Sequence, residues 1–103
     1  MIYTTNITCT NANTAYPLAS VRTPAGWVDI RAYKASGGAN TGNVYISGGS
    51  TSANATATTG YPMKPGDEIH IHPLGGKSYI DLQQLWVDAD NASDAIRIMY
   101  GVG

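Results

Sequence analysis

Alternation is what most restricts the fold of this chain. In several separate stretches apolar and polar residues exchange places at every second position, the period of a β-strand, whose successive side chains point to opposite faces. From Trp27 to Lys34, the residues Val28, Ile30 and Ala32 share one face, while Trp27, Asp29, Arg31 and Tyr33 share the other. Val44-Tyr45-Ile46 reads as a second, shorter strand between Ser36-Gly37-Gly38 and Ser47-Gly48-Gly49, which supply the positive-φ positions that hairpin turns use. Ile69-His70-Ile71-His72 alternates with both isoleucines inward and both histidines outward. Ala95 to Tyr100 does the same, with Ile96, Ile98 and Tyr100 on one face.

Other stretches need a further argument. Ser78 to Leu82 alternates, but Gln83-Gln84 shifts the phase before Leu85-Trp86-Val87. A bulge or a short break between two strands restores an inward set of Ile80, Leu82, Leu85 and Val87. A helix over 79–89 is the rival, disfavoured by the Tyr, Ile, Trp and Val content and by the lack of an N-cap box. Ile2 to Thr10, rich in Thr and Ile, is expected as an exposed edge strand, and Ser52 to Thr59 as a strand pairing beside Val44–Ile46. Pro62 and Pro65 fix φ, and Gly66 permits a tight turn, so Gly60 to Glu68 reads as a corner where the chain changes sheets before Ile69 enters the core. The count is seven or eight short strands at spacings of about 8–12 residues, which predicts an all-β, single-domain antiparallel β-sandwich or small barrel over residues 1–103. No linker, repeat or low-complexity tail interrupts it.

Composition then narrows the function classes. Charged residues make up 13% of the 103 residues, about half the roughly 25% usual for soluble domains. Hydrophobic residues reach 43%, too many for disorder. A net charge of −1 provides no field to attract nucleic acid or an anionic membrane. No signal peptide and no apolar run of about 18 residues is visible, so the expectation is synthesis in the cytoplasm and no membrane span. Asn6, Asn54 and Asn91 begin glycosylation sequons, which a chain rich in Asn, Ser and Thr supplies by chance.

No catalytic set can be assembled. Cys9 is the sole cysteine and sits in an alternating stretch, where it reads as a small buried hydrophobe. His70 and His72 emerge from one strand face and form half of a metal site, but no third ligand is identifiable; they read as the solvent side of an amphipathic strand, with a subunit contact as the alternative. Asp88 to Asp94 has the acidic spacing of a calcium loop without its glycine or final carboxylate, so a polar turn is expected. Gly75-Gly76-Lys77-Ser78 resembles the end of a phosphate loop whose first glycine would fall at Ile71, inside a strand. Trp27 and Trp86 read as core or interface anchors. The expectation is a non-enzyme with no catalytic residue, cofactor or metal.

Four segments in this order carry a resemblance: Asn43-Val44-Tyr45-Ile46-Ser47-Gly48-Gly49, the corner from Gly60 to Ile69, Leu85-Trp86-Val87-Asp88-Ala89, and Ile96-Arg97-Ile98-Met99-Tyr100. Together they resemble small β-sandwich virion proteins of tailed bacteriophages, with Met63 and Asp67 where Leu and Glu are usual; residues 1–42 add no match. The resemblance implies a structural role as a capsid decoration (cement) protein on the virion surface. Its implied partners are the major capsid protein and further copies of itself, a trimer preferred to a dimer, with residues 1–10 as the contacting strand. The alternatives are a tail or head-fibre module, and a carbohydrate-binding module using Trp27 and Tyr33 as a stacking platform.

Overall fold

In a computed structural model of the chain, residues 1–34, 37–48, 59–73 and 79–102 are described. The fold is an antiparallel β-sandwich. Its strands are β1 (Ile2–Thr8), β2 (Tyr16–Pro17), β3 (Pro24–Ala25), β4 (Trp27–Arg31), β5 (Val44–Gly48), β6 (Tyr61–Met63), β7 (Glu68–Ile71), β8 (Ile80–Asp81), β9 (Leu85–Ala89) and β10 (Ala95–Gly101). One four-stranded sheet runs β1-β10-β4-β7 and a second runs β2-β9-β5-β6, while β3 and β8 form a small pair. Every pairing between these strands is antiparallel.

The alternation in sequence becomes the two faces of each sheet. Val28, Ile30 and Ala32 are wholly buried, as are Ile96 and, nearly so, Ile98; they meet Val44, Ile46, Met63, Val87 and Ala89 from the opposite sheet. Each aliphatic side chain buried this way stabilises the fold by about 1.5–3 kcal/mol relative to exposure. Ile69 and Ile71 point toward this core and His70 and His72 lie in solvent. Tyr100 is half-buried: it packs against the core and its ring stacks on Tyr3 with centroids 5.4 Å apart.

The phase shift at Gln83-Gln84 is a break. A three-residue 3-10 turn, Leu82–Gln84, separates β8 from β9, with the Asp81 side chain accepting from the Gln83 N–H. The turn buries Leu82 and leaves both glutamines outside. The proline corner does change sheets: β6 belongs to one sheet and β7 to the other. Gly66 sits there at φ +89°, and the Asp67 carboxylate accepts from the Lys64 N–H at 2.9 Å. Strand β5 has β6 and β9 as its neighbours; the segment expected to pair with it, residues 52–58, lies outside the described residues, as does the Gly75–Ser78 motif.

The acidic turn differs from its expectation. Asp88 lies within β9 and Asp94 just before β10, and both are buried. Asp94 does not cap its own turn. Its carboxylate accepts from the Thr41 and Gly42 N–H groups, each at 2.9 Å, and from the Thr41 hydroxyl, so it fixes a loop more than fifty residues away. Beside it, buried Asn40 bonds both backbone groups of Ala95, donating at 2.9 Å and accepting at 3.0 Å, in place of a strand partner.

Candidate assembly edge

Among the described residues the two four-stranded sheets end in four edge strands, and three of these are guarded against further pairing. β2 is two residues long and contains Pro17. β6 is three residues long and contains Pro62, whose missing N–H suits an edge. β7 is four residues long, begins with Glu68 and carries His70. Short length, proline and charge are the devices that keep sheet edges from pairing with foreign strands. β1 has none of them: it spans seven residues, Ile-Tyr-Thr-Thr-Asn-Ile-Thr, with no charge and no proline, and only Ile7 is not fully exposed.

Register settles which backbone groups of β1 face outward. Met1 and Val102 exchange both backbone hydrogen bonds at 2.8 Å, and β1 pairs with β10 from Ile2↔Gly101 to Thr8↔Ala95. Hydrogen-bonded and non-hydrogen-bonded pairs alternate along an antiparallel ladder. Tyr3, Thr5 and Ile7 therefore bond β10, and Ile2, Thr4, Asn6 and Thr8 direct their N–H and C=O groups away from the sheet. No described residue covers them.

Charge is distributed unevenly around this edge. No Asp, Glu, Lys or Arg precedes Arg22, so β1, β2 and the loop between them have no charged side chain. At the other flank, β7 approaches β5 and β6 across an opening lined by Ile46, Tyr61, Ile69 and Ile71, which puts β1 and β2 together on the opposite side. The outer face of β4, β7 and β10 carries Asp29, Arg31, Glu68 and Arg97. There the His70 imidazole bonds the Asp29 carboxylate, and Arg31 Nε lies 3.2 Å from Glu68 Oε2. Overall composition hides this placement; the signal in the sequence is the uncharged run from Met1 to Val21.

The sequence-derived candidates are dispersed rather than convergent. His70 and His72 touch edge to face, with ring centroids 4.1 Å apart, and Trp27 stacks on His70 at 6.1 Å. Among the described residues no group of three His, Cys, Asp or Glu side chains is arranged to hold a metal. Trp27 lies flat over Gly101, leaving no room for a Cβ there, whereas Tyr33 takes the Arg31 guanidinium over its ring at 5.3 Å. These two rings serve different neighbours and make no shared platform. Between them is an open depression of about 610 Å³ whose wall includes Thr4, Asn6, Asp29, Arg31, Glu68 and Arg97. Its charged groups already engage each other or their surroundings.

Cys9 is wholly buried, and burial, reinforced by the nearby Asp88 and Asp94 carboxylates, pushes its thiol up to about 12. Burial likewise raises the Asp88 carboxyl, against the hydrogen bond it accepts from the Ala89 N–H at 2.7 Å. Tyr45, buried although it points away from the core, donates to Asp90 Oδ2 at 2.9 Å; burial first and this bond second raise its phenol. These groups hold the β9–β10 turn and the loop at Asn40 to Asn43 together.

No protein-family model matches the chain, and no curated protein does. One solved structure aligns with all of this chain and with 88% of its own, at 16% identity and a TM-score of 0.47; it comes from work titled "Bacillus endospore appendages form a novel family of disulfide-linked pili".

Proposed function

We propose that this chain is a structural, non-catalytic protein of a tailed-phage virion: a capsid decoration (cement) protein that binds the major capsid protein on the outside of the head and stabilises the shell. The observation that supports it best is β1, a seven-residue edge strand with neither charge nor proline, on a flank without charged side chains. A monomer that works alone in solution blunts such an edge; a subunit that works in an assembly keeps it. Uncharged Thr, Asn and Tyr are also less costly to strip of water than Lys or Glu, which suits contacts repeated over a shell. The four segments resembling phage β-sandwich proteins point the same way.

The test is co-sedimentation with expanded heads of the phage that encodes the chain. Saturable binding at a fixed ratio to the major capsid protein, with heads that resist heat or osmotic shock better when decorated, is expected. A folded protein that stays in the supernatant at every ratio would remove the capsid reading.

A further inference from the structure

We propose that β1 pairs with β1 of a second copy, antiparallel and across a two-fold axis at Thr5, to give a dimer with one continuous eight-stranded sheet. The inference rests on the reading of the chain as an assembly protein, since it names the occupant of the edge that supports that reading.

The strand is complementary to itself in one full-length register. Its outward backbone groups belong to Ile2, Thr4, Asn6 and Thr8. Setting Thr5 opposite Thr5 places Ile2 against Thr8 of the second copy and Thr4 against Asn6 of the second copy. All four residues then meet outward-facing backbone groups, forming about eight main-chain hydrogen bonds. Shifting the register by one residue turns inward-bonded residues toward outward-bonded ones and forms none of these pairs. Shifting by two leaves one end unpaired.

Side chains agree with that register. On the face that looks toward the second sheet, Tyr3 falls opposite Ile7 and Thr5 opposite Thr5. These are an aromatic with a β-branched residue and a Thr with a Thr, both favourable cross-strand pairs. Tyr3 is 43% exposed and Ile2 64% in the single chain, so this pairing also covers apolar surface that the monomer leaves in water. No charge opposes a like charge, because β1 carries none.

The other edges explain why the occupant is β1 itself. A head-to-tail chain of subunits would need β1 to pair with β7, β6 or β2. These are four, three and two residues long and carry Glu68, Pro62 and Pro17. None offers a seven-residue unbroken ladder. Only β1 matches β1 in length and chemistry, and a strand paired with its own copy closes the interface instead of growing a fibre. The closed dimer replaces the trimer that the resemblance implies.

The experiment uses the full chain. Sedimentation velocity across a concentration series should show a species of twice the chain mass. The variant Thr4→Pro removes an N–H that faces outward, leaves the β10 ladder untouched, and should raise the dimer dissociation constant at least tenfold with an unchanged far-ultraviolet spectrum. Under mild oxidation Thr5→Cys should cross-link to a dimer, since residues facing each other across such a non-hydrogen-bonded pair sit about 4.5 Å apart at Cα, within disulfide reach. Thr8→Cys, far from the axis, should not. A wild-type chain that remains monomeric at every concentration would overturn the proposal, as would equal cross-linking at Thr5 and Thr8, or a Thr4→Pro protein as dimeric as wild type. The capsid reading fails separately, by co-sedimentation: a dimer that ignores heads refutes that reading alone, and a monomer that coats them refutes the pairing alone.

Discussion

Asp94 is fully buried, and its carboxylate accepts from two backbone N–H groups and a hydroxyl of the loop at Thr41 and Gly42. Removing it leaves those donors without a partner, which costs about 1–3 kcal/mol for each group stranded away from water. Asp94→Ala is therefore expected to lower stability by about 3 kcal/mol, read as a lower urea midpoint at unchanged slope, and Asp94→Asn by less, since one oxygen still accepts. Gly101→Ala acts through packing: its Cβ would fall 2.3 Å from Trp27 Nε1. A loss of about 1–3 kcal/mol and a shift in tryptophan emission are expected. Cys9 sets a pH dependence. Its thiol, near 9.0 when unfolded and about 12 when folded, stays neutral in the native state and ionises on unfolding. A folded-state value above the unfolded one gives stability that is present below pH 9 and is lost as pH rises from 9 toward 12. At pH 8 the folded protein should react with a thiol reagent at least roughly a thousandfold more slowly than the protein in urea, following the thiolate fraction.

At the scale of elements, β1 serves two purposes that a simple truncation cannot separate. Its inner edge bonds β10 along seven paired positions, and Cys9 beyond it belongs to the core. Deleting residues 1–10 is expected to abolish cooperative thermal unfolding, while Thr4→Pro keeps it. The alternating strands were legible in sequence because Val28, Ile30 and Ala32, or Ile96 and Ile98, carry a period that burial against one sheet imposes. The edge position of β1 was legible from its Thr and Ile content, and the loss of phase at Gln83-Gln84 marked a bulge or a break there. The two-residue strands β2 and β3 were not, because so short an element has no period and exists only through its partner strand, whereas β8 falls inside the alternating stretch that ends at Leu82. The Asp94 and Asn40 contacts were equally hidden: they join residues more than fifty positions apart, and nothing local to either residue marks the other. The assembly edge was half visible, as an exposed strand; that its three rivals are blunted by length, proline and charge required the sheet order.

For the molecule as a whole, the low charge content becomes a matter of placement. Asp29, Arg31, Glu68 and Arg97 line one outer face, and the flank of β1 and β2 has no ionic side chain. The β1–β1 contact on that flank draws little on Coulomb attraction, so the dimer dissociation constant is expected to change by less than about threefold between 50 and 500 mM salt, conditions that weaken charge-steered complexes far more. Titration of purified, undecorated expanded heads with the wild-type chain, followed by sedimentation and quantitation of both proteins, tests the structural reading most directly. Saturation at a constant ratio to the major capsid protein, accompanied by a higher disruption temperature of the heads, is the predicted result. A folded chain that fails to sediment with the heads at any concentration, and leaves their disruption temperature where it was, would contradict it.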